Sequence, residues 1–181
     1  MRRHSLQLSV AIFAITMAGA ASAQNELGLQ GVVSLAFAYS SQETELEYGG
    51  KLSDGVGIDF DAGFQAGENF AFLLGYEWQT SADFDSFYFP VSVRAYSPLL
   101  LERVRLYGTV GIGVFFARLH HEFNANGTER AGAFDAGGGF HVDITEDVAL
   151  LAYARYKRGF GEVDDFESVV SGVGFEYRWG L

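Results

Sequence analysis

The chain contains no cysteine, which excludes thiol chemistry, disulfides and Cys-ligated metals. Cations are scarce as well: 12 Lys and Arg stand against 23 Asp and Glu, for a net charge of −11. That balance argues against nucleic acid as a partner, because phosphate-backbone binding needs a basic surface. Only 2 of the 181 residues are proline, while 23 are glycine. Much glycine with little proline does not fit disorder, and it does fit strands that approach closely in a narrow barrel.

What is present begins with an export pattern. Arg2 and Arg3 charge the start, residues 8–17 are mostly apolar, and Ala21-Ser22-Ala23 precedes Gln24 as a small-residue cleavage site. The apolar core falls short of the ~20 residues a spanning helix needs. Residues 1–23 are therefore expected to be a cleaved secretory signal and residues 24–181 the exported domain. Removing 23 residues leaves 158, and losing the two arginines takes the net charge to −13.

The clearest pattern in the exported part is its end. Val169, Ser171, Val173, Phe175, Tyr177, Trp179 and Leu181 alternate with Val170, Gly172, Gly174, Glu176, Arg178 and Gly180. A period of two is a strand whose faces meet different surroundings. Its bulky face suits lipid, and its small and charged face suits a crowded polar interior. A strand in lipid cannot leave its edges open, so the rest of the chain is expected to close a barrel.

The same alternation recurs over residues 29–39, 56–65, 70–78, 87–95, 104–116, 134–142 and 148–157, which makes eight strands with 169–181. Connections alternate in length: long at 40–54, 79–86, 118–130 and 158–167, short at 67–69, 97–103 and 143–147. An even strand number with long loops at one end and short turns at the other predicts an all-β, eight-stranded antiparallel up-and-down transmembrane β-barrel. With the amino terminus in the periplasm, Tyr39, Trp78, Phe87, Phe89, Phe116, Phe134 and Tyr156 should form an outer aromatic girdle. Phe64, Phe70, Phe140, Tyr177 and Trp179 should form the periplasmic one. Pro90 interrupts the fourth strand by removing a ladder donor, and is expected to mark an irregularity near the outer rim.

A soluble eight-stranded barrel with the apolar face turned inward has the same alternation. Two points count against it. Eight strands enclose only enough room for side chains or one small ligand, too little for some five large groups per strand. The opposite face is also rich in Gly and Ala, where a solvated surface prefers Lys, Glu and Thr.

The ending Phe175-Glu176-Tyr177-Arg178-Trp179-Gly180-Leu181 is similar to the signal read by the barrel-assembly machinery, although that signal usually closes on Phe or Trp rather than Leu. The stretch Gly137-Gly138-Gly139-Phe140-His141-Val142-Asp143-Ile144-Thr145-Glu146-Asp147, followed by Tyr153-Ala154-Arg155-Tyr156, points the same way. On these residues the exported chain resembles the small eight-stranded outer-membrane barrels of Gram-negative bacteria, the group with OmpA-type domains, OmpX-type proteins and opacity-like surface proteins. The resemblance implies residence in the outer membrane. It also implies contact with outer-membrane lipid and lipopolysaccharide, and the barrel-assembly machinery as a partner in biogenesis.

Candidate chemistry is sparse. The expected inward face carries Asp59, Asp61, Glu77, Asp135 and Glu176 against Arg94, Arg105, Arg155, Lys157 and Arg178, with His141 beside them. Unpaired charges in a tight, partly dry lumen are costly, so pairing across the barrel is expected, as a structural plug or as a narrow ion path. His120-His121-Glu122 invites a comparison with outer-membrane lipid A deacylases, whose pattern places Ser two residues after the His. Here Phe123 holds that position. The loops are acidic, with Glu43, Glu45, Glu47, Asp83, Asp85, Glu122, Glu129, Glu162, Asp164, Asp165 and Glu167, yet no run has the spacing of a calcium loop. No catalytic, cofactor-binding or metal-binding residues are assigned. The expected role is structural or surface-interacting, through an extracellular ligand of the loops. A small-solute pore and a lipid A-modifying enzyme are the alternatives.

Overall fold

The computed structural model describes residues 28–43, 52–120, 128–160 and 166–180. The expected signal peptide, His121, Glu122, Leu181 and the loop carboxylates Glu45, Glu47, Glu162, Asp164 and Asp165 lie outside them. Eight strands follow one another: β1 (Leu29–Gln42), β2 (Gly55–Ala66), β3 (Phe70–Thr80), β4 (Phe84–Tyr96), β5 (Val104–Leu119), β6 (Thr128–Asp143), β7 (Val148–Phe160) and β8 (Glu167–Gly180). Each pairs antiparallel with its sequence neighbour, and β1 also pairs with β8, so the sheet closes into a barrel with no free edge. Closure satisfies every ladder from within the wall, as lipid demands.

Alternation places the side chains as the sequence predicts. Phe37 is 74 % exposed, and Phe72, Leu74, Ile112 and Phe175 point away from the axis with it. Asp59, Glu77, Asp135, Lys157 and Glu176 are buried inside. Outward aromatics meet across strands. Trp78, Phe87 and Phe116 stand in one register row, and Phe64 of β2 stacks on Phe72 of β3 at 5.3 Å; within β8, Tyr177 stacks on Trp179 at 5.9 Å.

Glycine on the inner face lets neighbouring strands coil tightly. A Cβ on Gly63 would sit 1.9 Å from the carbonyl oxygen of Phe72, and on Gly139 2.0 Å from that of Ala152. Both contacts are with backbone, so no side chain can yield. Pro90 lies in the middle of β4, not near the rim as the sequence reading expects. The β3–β4 ladder pairs Leu74 with Val91 and resumes at Glu77 with Tyr88, and the gap spans the prolyl nitrogen. Gly75 opposite leaves room for the ring, since a Cβ there would lie 2.6 Å from Pro90 Cγ.

Most strands reach further toward the loop end than their alternation shows, among them three neighbours. β4 begins at Phe84, β5 runs to Leu119 and β6 begins at Thr128. The wall therefore stands taller at that end, and an apolar cluster there sits beside buried Ser40, Gln42, Gln79, Ser86 and Ser168.

Candidate functional site

The lumen is layered. In its middle, β4 supplies Arg94, whose Nη1 donates to Glu176 Oε2 of β8 at 2.7 Å and whose Nη2 donates to Asp61 of β2 at 3.2 Å. Arg155 of β7 bridges Asp59 of β2 and Glu77 of β3, and Lys157 binds the other oxygen of Glu77. Tyr153 donates to Asp59, and Tyr88 donates to Asp135 at 2.8 Å. Arg94 and Arg155 also lie over the rings of Tyr107 and Tyr153, at 4.7 and 4.9 Å, so the cations are held by ring faces as well as by carboxylates. All ten charged residues expected inside are there; the expected cross-barrel pairing joins eight of them, while Arg105 and Arg178 turn to Asp143 instead.

His141, beside the inward charges in the sequence, joins their network. Its Nε2 stands 3.0 Å from Glu176 Oε1, with the edge of the ring on Tyr96. Asp143 is the partner the sequence reading missed. It was assigned to a turn, but the inward parity of Asp135, His141 and Asp143 along β6 continues to the strand's last residue. Its carboxylate binds Arg178 and lies 4.0 Å from Arg105 Nε.

An apolar cluster caps the ionic layer at the loop end: Leu52, Phe84, Tyr88, Phe115, Ala117, Ala133 and Phe166. Phe115 and Phe166 rings pack at 4.4 Å, and Phe84 meets Phe166 edge-on at 6.3 Å. A second cluster, with Val32, Leu73, Tyr96, Tyr107 and Leu151, lies on the turn side. What remains between Asp59, Asp61, Arg94 and Arg155 is a cavity of about 20 Å³, room for roughly one water.

Above the cap the β3–β4 connection is a hub. Ser53 donates its backbone N–H to Asp83 at 2.8 Å and its hydroxyl to the same oxygen. The His120 backbone N–H donates to the Asp83 carbonyl at 2.7 Å. The His120 ring puts Nδ1 3.3 Å from the Ala82 carbonyl and Nε2 3.0 Å from the Asp85 carboxylate. Both partners are acceptors, so only the doubly protonated ring satisfies them. The hydrogen bond to Asp85 accordingly lifts the His120 pKa above 6.5. His120 thus ties the third long loop to the second.

Comparison with known proteins now has a geometry to meet. A family model of the outer membrane protein beta-barrel domain matches residues 8–178. The chain belongs to that family. Its members are outer-membrane β-barrels, and the closed barrel wall described above fits that description. Solved structures share the architecture. Neisserial surface protein A superposes with a TM-score of 0.66 at 17 % identity, covering 84 % of this chain and 97 % of that one. OprG from Pseudomonas aeruginosa gives 0.60 at 11 % identity, covering 84 % and 96 %. Ail, the attachment invasion locus protein of Yersinia pestis, in complex with the heparin analogue sucrose octasulfate, gives 0.59 at 18 %, covering 83 % and 99 %. At these identities the likeness is one of fold. No curated protein matches the chain.

Proposed function

We propose that the protein is a plugged outer-membrane barrel whose work is done by its surface, either as a structural element of the envelope or by binding an external ligand through its loops. In this reading the loop end faces outward and the turn end faces the periplasm. Outer-membrane lipid and lipopolysaccharide surround the wall, and the barrel-assembly machinery inserts it. The observation that carries the reading is the middle of the lumen: an interlocked ionic layer around a cavity of about 20 Å³, capped by Phe84, Phe115 and Phe166. A hydrated ion needs a continuous wet path, and a packed aromatic layer removes it. The deacylase comparison gains no support from His120, whose ring is occupied by Ala82 and Asp85.

Conductance in planar bilayers tests the proposal. The protein is expected to insert without stable openings, and stepwise currents would favour the pore. Incubation with lipid A followed by mass analysis tests the enzyme, and loss of an acyl chain would replace the proposal.

A further inference from the structure

The turn end of the lumen holds more positive charge than its own carboxylates answer. Arg105 and Arg178 enter it from β5 and β8 with side chains 14 % and 9 % exposed, and both turn toward the single carboxylate of Asp143. Arg105 Nη1 donates to the Glu68 carbonyl at 3.1 Å, yet the Nε–H of each arginine is buried with no hydrogen-bond partner. Asp143 is further claimed by His141, whose Nδ1 lies 3.6 Å away. Arg103 joins them from the β4–β5 turn, exposed, its carbonyl accepting from the Asp143 N–H at 2.8 Å while its guanidinium makes no ion pair among the described residues. Together they line an open cavity of about 410 Å³ with Asp143, Thr145 and the exposed Glu146. Three guanidinium groups therefore meet two carboxylates.

A buried guanidinium with an orphaned N–H is costly, and an anion that takes two or three of these donors relieves the cost. The planar fork of arginine suits the oxygens of a phosphate best. The rim adds a second property. Leu99, Leu100 and Leu101, on the turn that carries Arg103, are 47 %, 54 % and 74 % exposed, and Ile144 is half-exposed on the cavity wall. A cationic centre inside an apolar rim fits the phosphate of an amphiphile as well as a free one. We infer that the turn-end mouth is a phosphate-binding site built on Arg103, Arg105 and Arg178.

The test uses the full chain purified in a phosphate-free detergent. Phosphatidylglycerol is added in one arm and read by native mass spectrometry. Inorganic phosphate is added in the other and read by phosphorus NMR line broadening. The protein is expected to bind at least one probe. Binding of the lipid alone identifies a headgroup as the source, and binding of both identifies phosphate itself. R105Q/R178Q is expected to lose about tenfold or more in affinity. R118Q, which removes a charge at the loop end, is expected to bind normally. If the double variant does not give a heat-modifiable band, R103Q decides in its place, since Arg103 is exposed; a several-fold loss is expected. No binding of either probe, or equal binding by the folded arginine variants, overturns the site.

Discussion

Arg94 and Glu176 meet at 2.7 Å across the lumen from residues 82 positions apart in the chain. The contact joins β4 to β8, strands on opposite sides of the barrel that share no ladder. The side chains of both are 6 % exposed or less, and Glu176 also holds His141. A cross-lumen bond of this kind fixes the relative position of two walls that backbone pairing leaves independent.

Glu176→Ala would leave Arg94 with Asp61 as its one carboxylate and His141 without the acceptor at Nε2. Removing one partner of a buried pair costs about 3–5 kcal/mol. The expected outcome is a lower urea midpoint for loss of the fast-migrating, unboiled band in detergent. An unchanged midpoint would mean that the lumen is wet enough to solvate Arg94.

Gly63→Ala places a methyl carbon where the Phe72 carbonyl oxygen stands, 1.9 Å away, and backbone cannot step aside. The variant is expected to accumulate unfolded, with a sharply reduced yield of heat-modifiable protein. Gly108→Ala is the matched control. Its nearest neighbour would be 3.8 Å away, so the change should stay within about 0.5 kcal/mol.

Phe115→Ala removes the central ring of the loop-end cap, which is fully buried and packs on Phe166. Truncating a buried Phe costs about 3–5 kcal/mol. Denaturant unfolding should report that loss. Bilayer recordings of the variant should stay as closed as the parent's, because the ionic layer beneath the cap still fills the lumen.

The hydrogen bond that the His120 ring donates to Asp85 holds its pKa above the usual histidine value. A histidine raised in the folded state lends stability that is full below its unfolded value and is lost as pH rises through the folded one. The tie between the second and third loops should therefore loosen on going alkaline, not acid. An NMR titration of the ring should place the midpoint above 6.5, and Asp85→Asn should bring it back toward that value. A midpoint at or below 6.5 in the parent would remove the ion pair.

The wall was legible from Leu29 to Trp179 because period-two alternation is a direct image of two solvents. The ring of inward charges came with it, by parity alone. The loop-end cap was not legible. Leu52, Phe84 and Phe166 fall in stretches that read as polar connections, and Tyr88 and Phe115 are bulky residues on the face otherwise given to Gly and charge. Each is a single apolar residue whose burial depends on others far away in sequence, and no local period records that. Asp143 was missed for a simpler reason: its acidic neighbours in residues 143–147 look like a turn, while its parity makes it the last residue of β6. Pro90 was recognised as a ladder defect but misplaced in height, because only Gly75 on the facing strand shows where the ring fits.

The seam between β1 and β8 has thirteen paired positions, from Gln30–Gly180 to Gln42–Ser168. Those two strands are the first and last of the series, so the longest separation in the chain is spanned by one of its most extensive ladders. Any partly assembled wall carries two raw borders that hydrocarbon will not tolerate. Until the seam closes, those borders have to be covered by protein, and a chain lacking its final strand cannot rest in lipid as an open sheet.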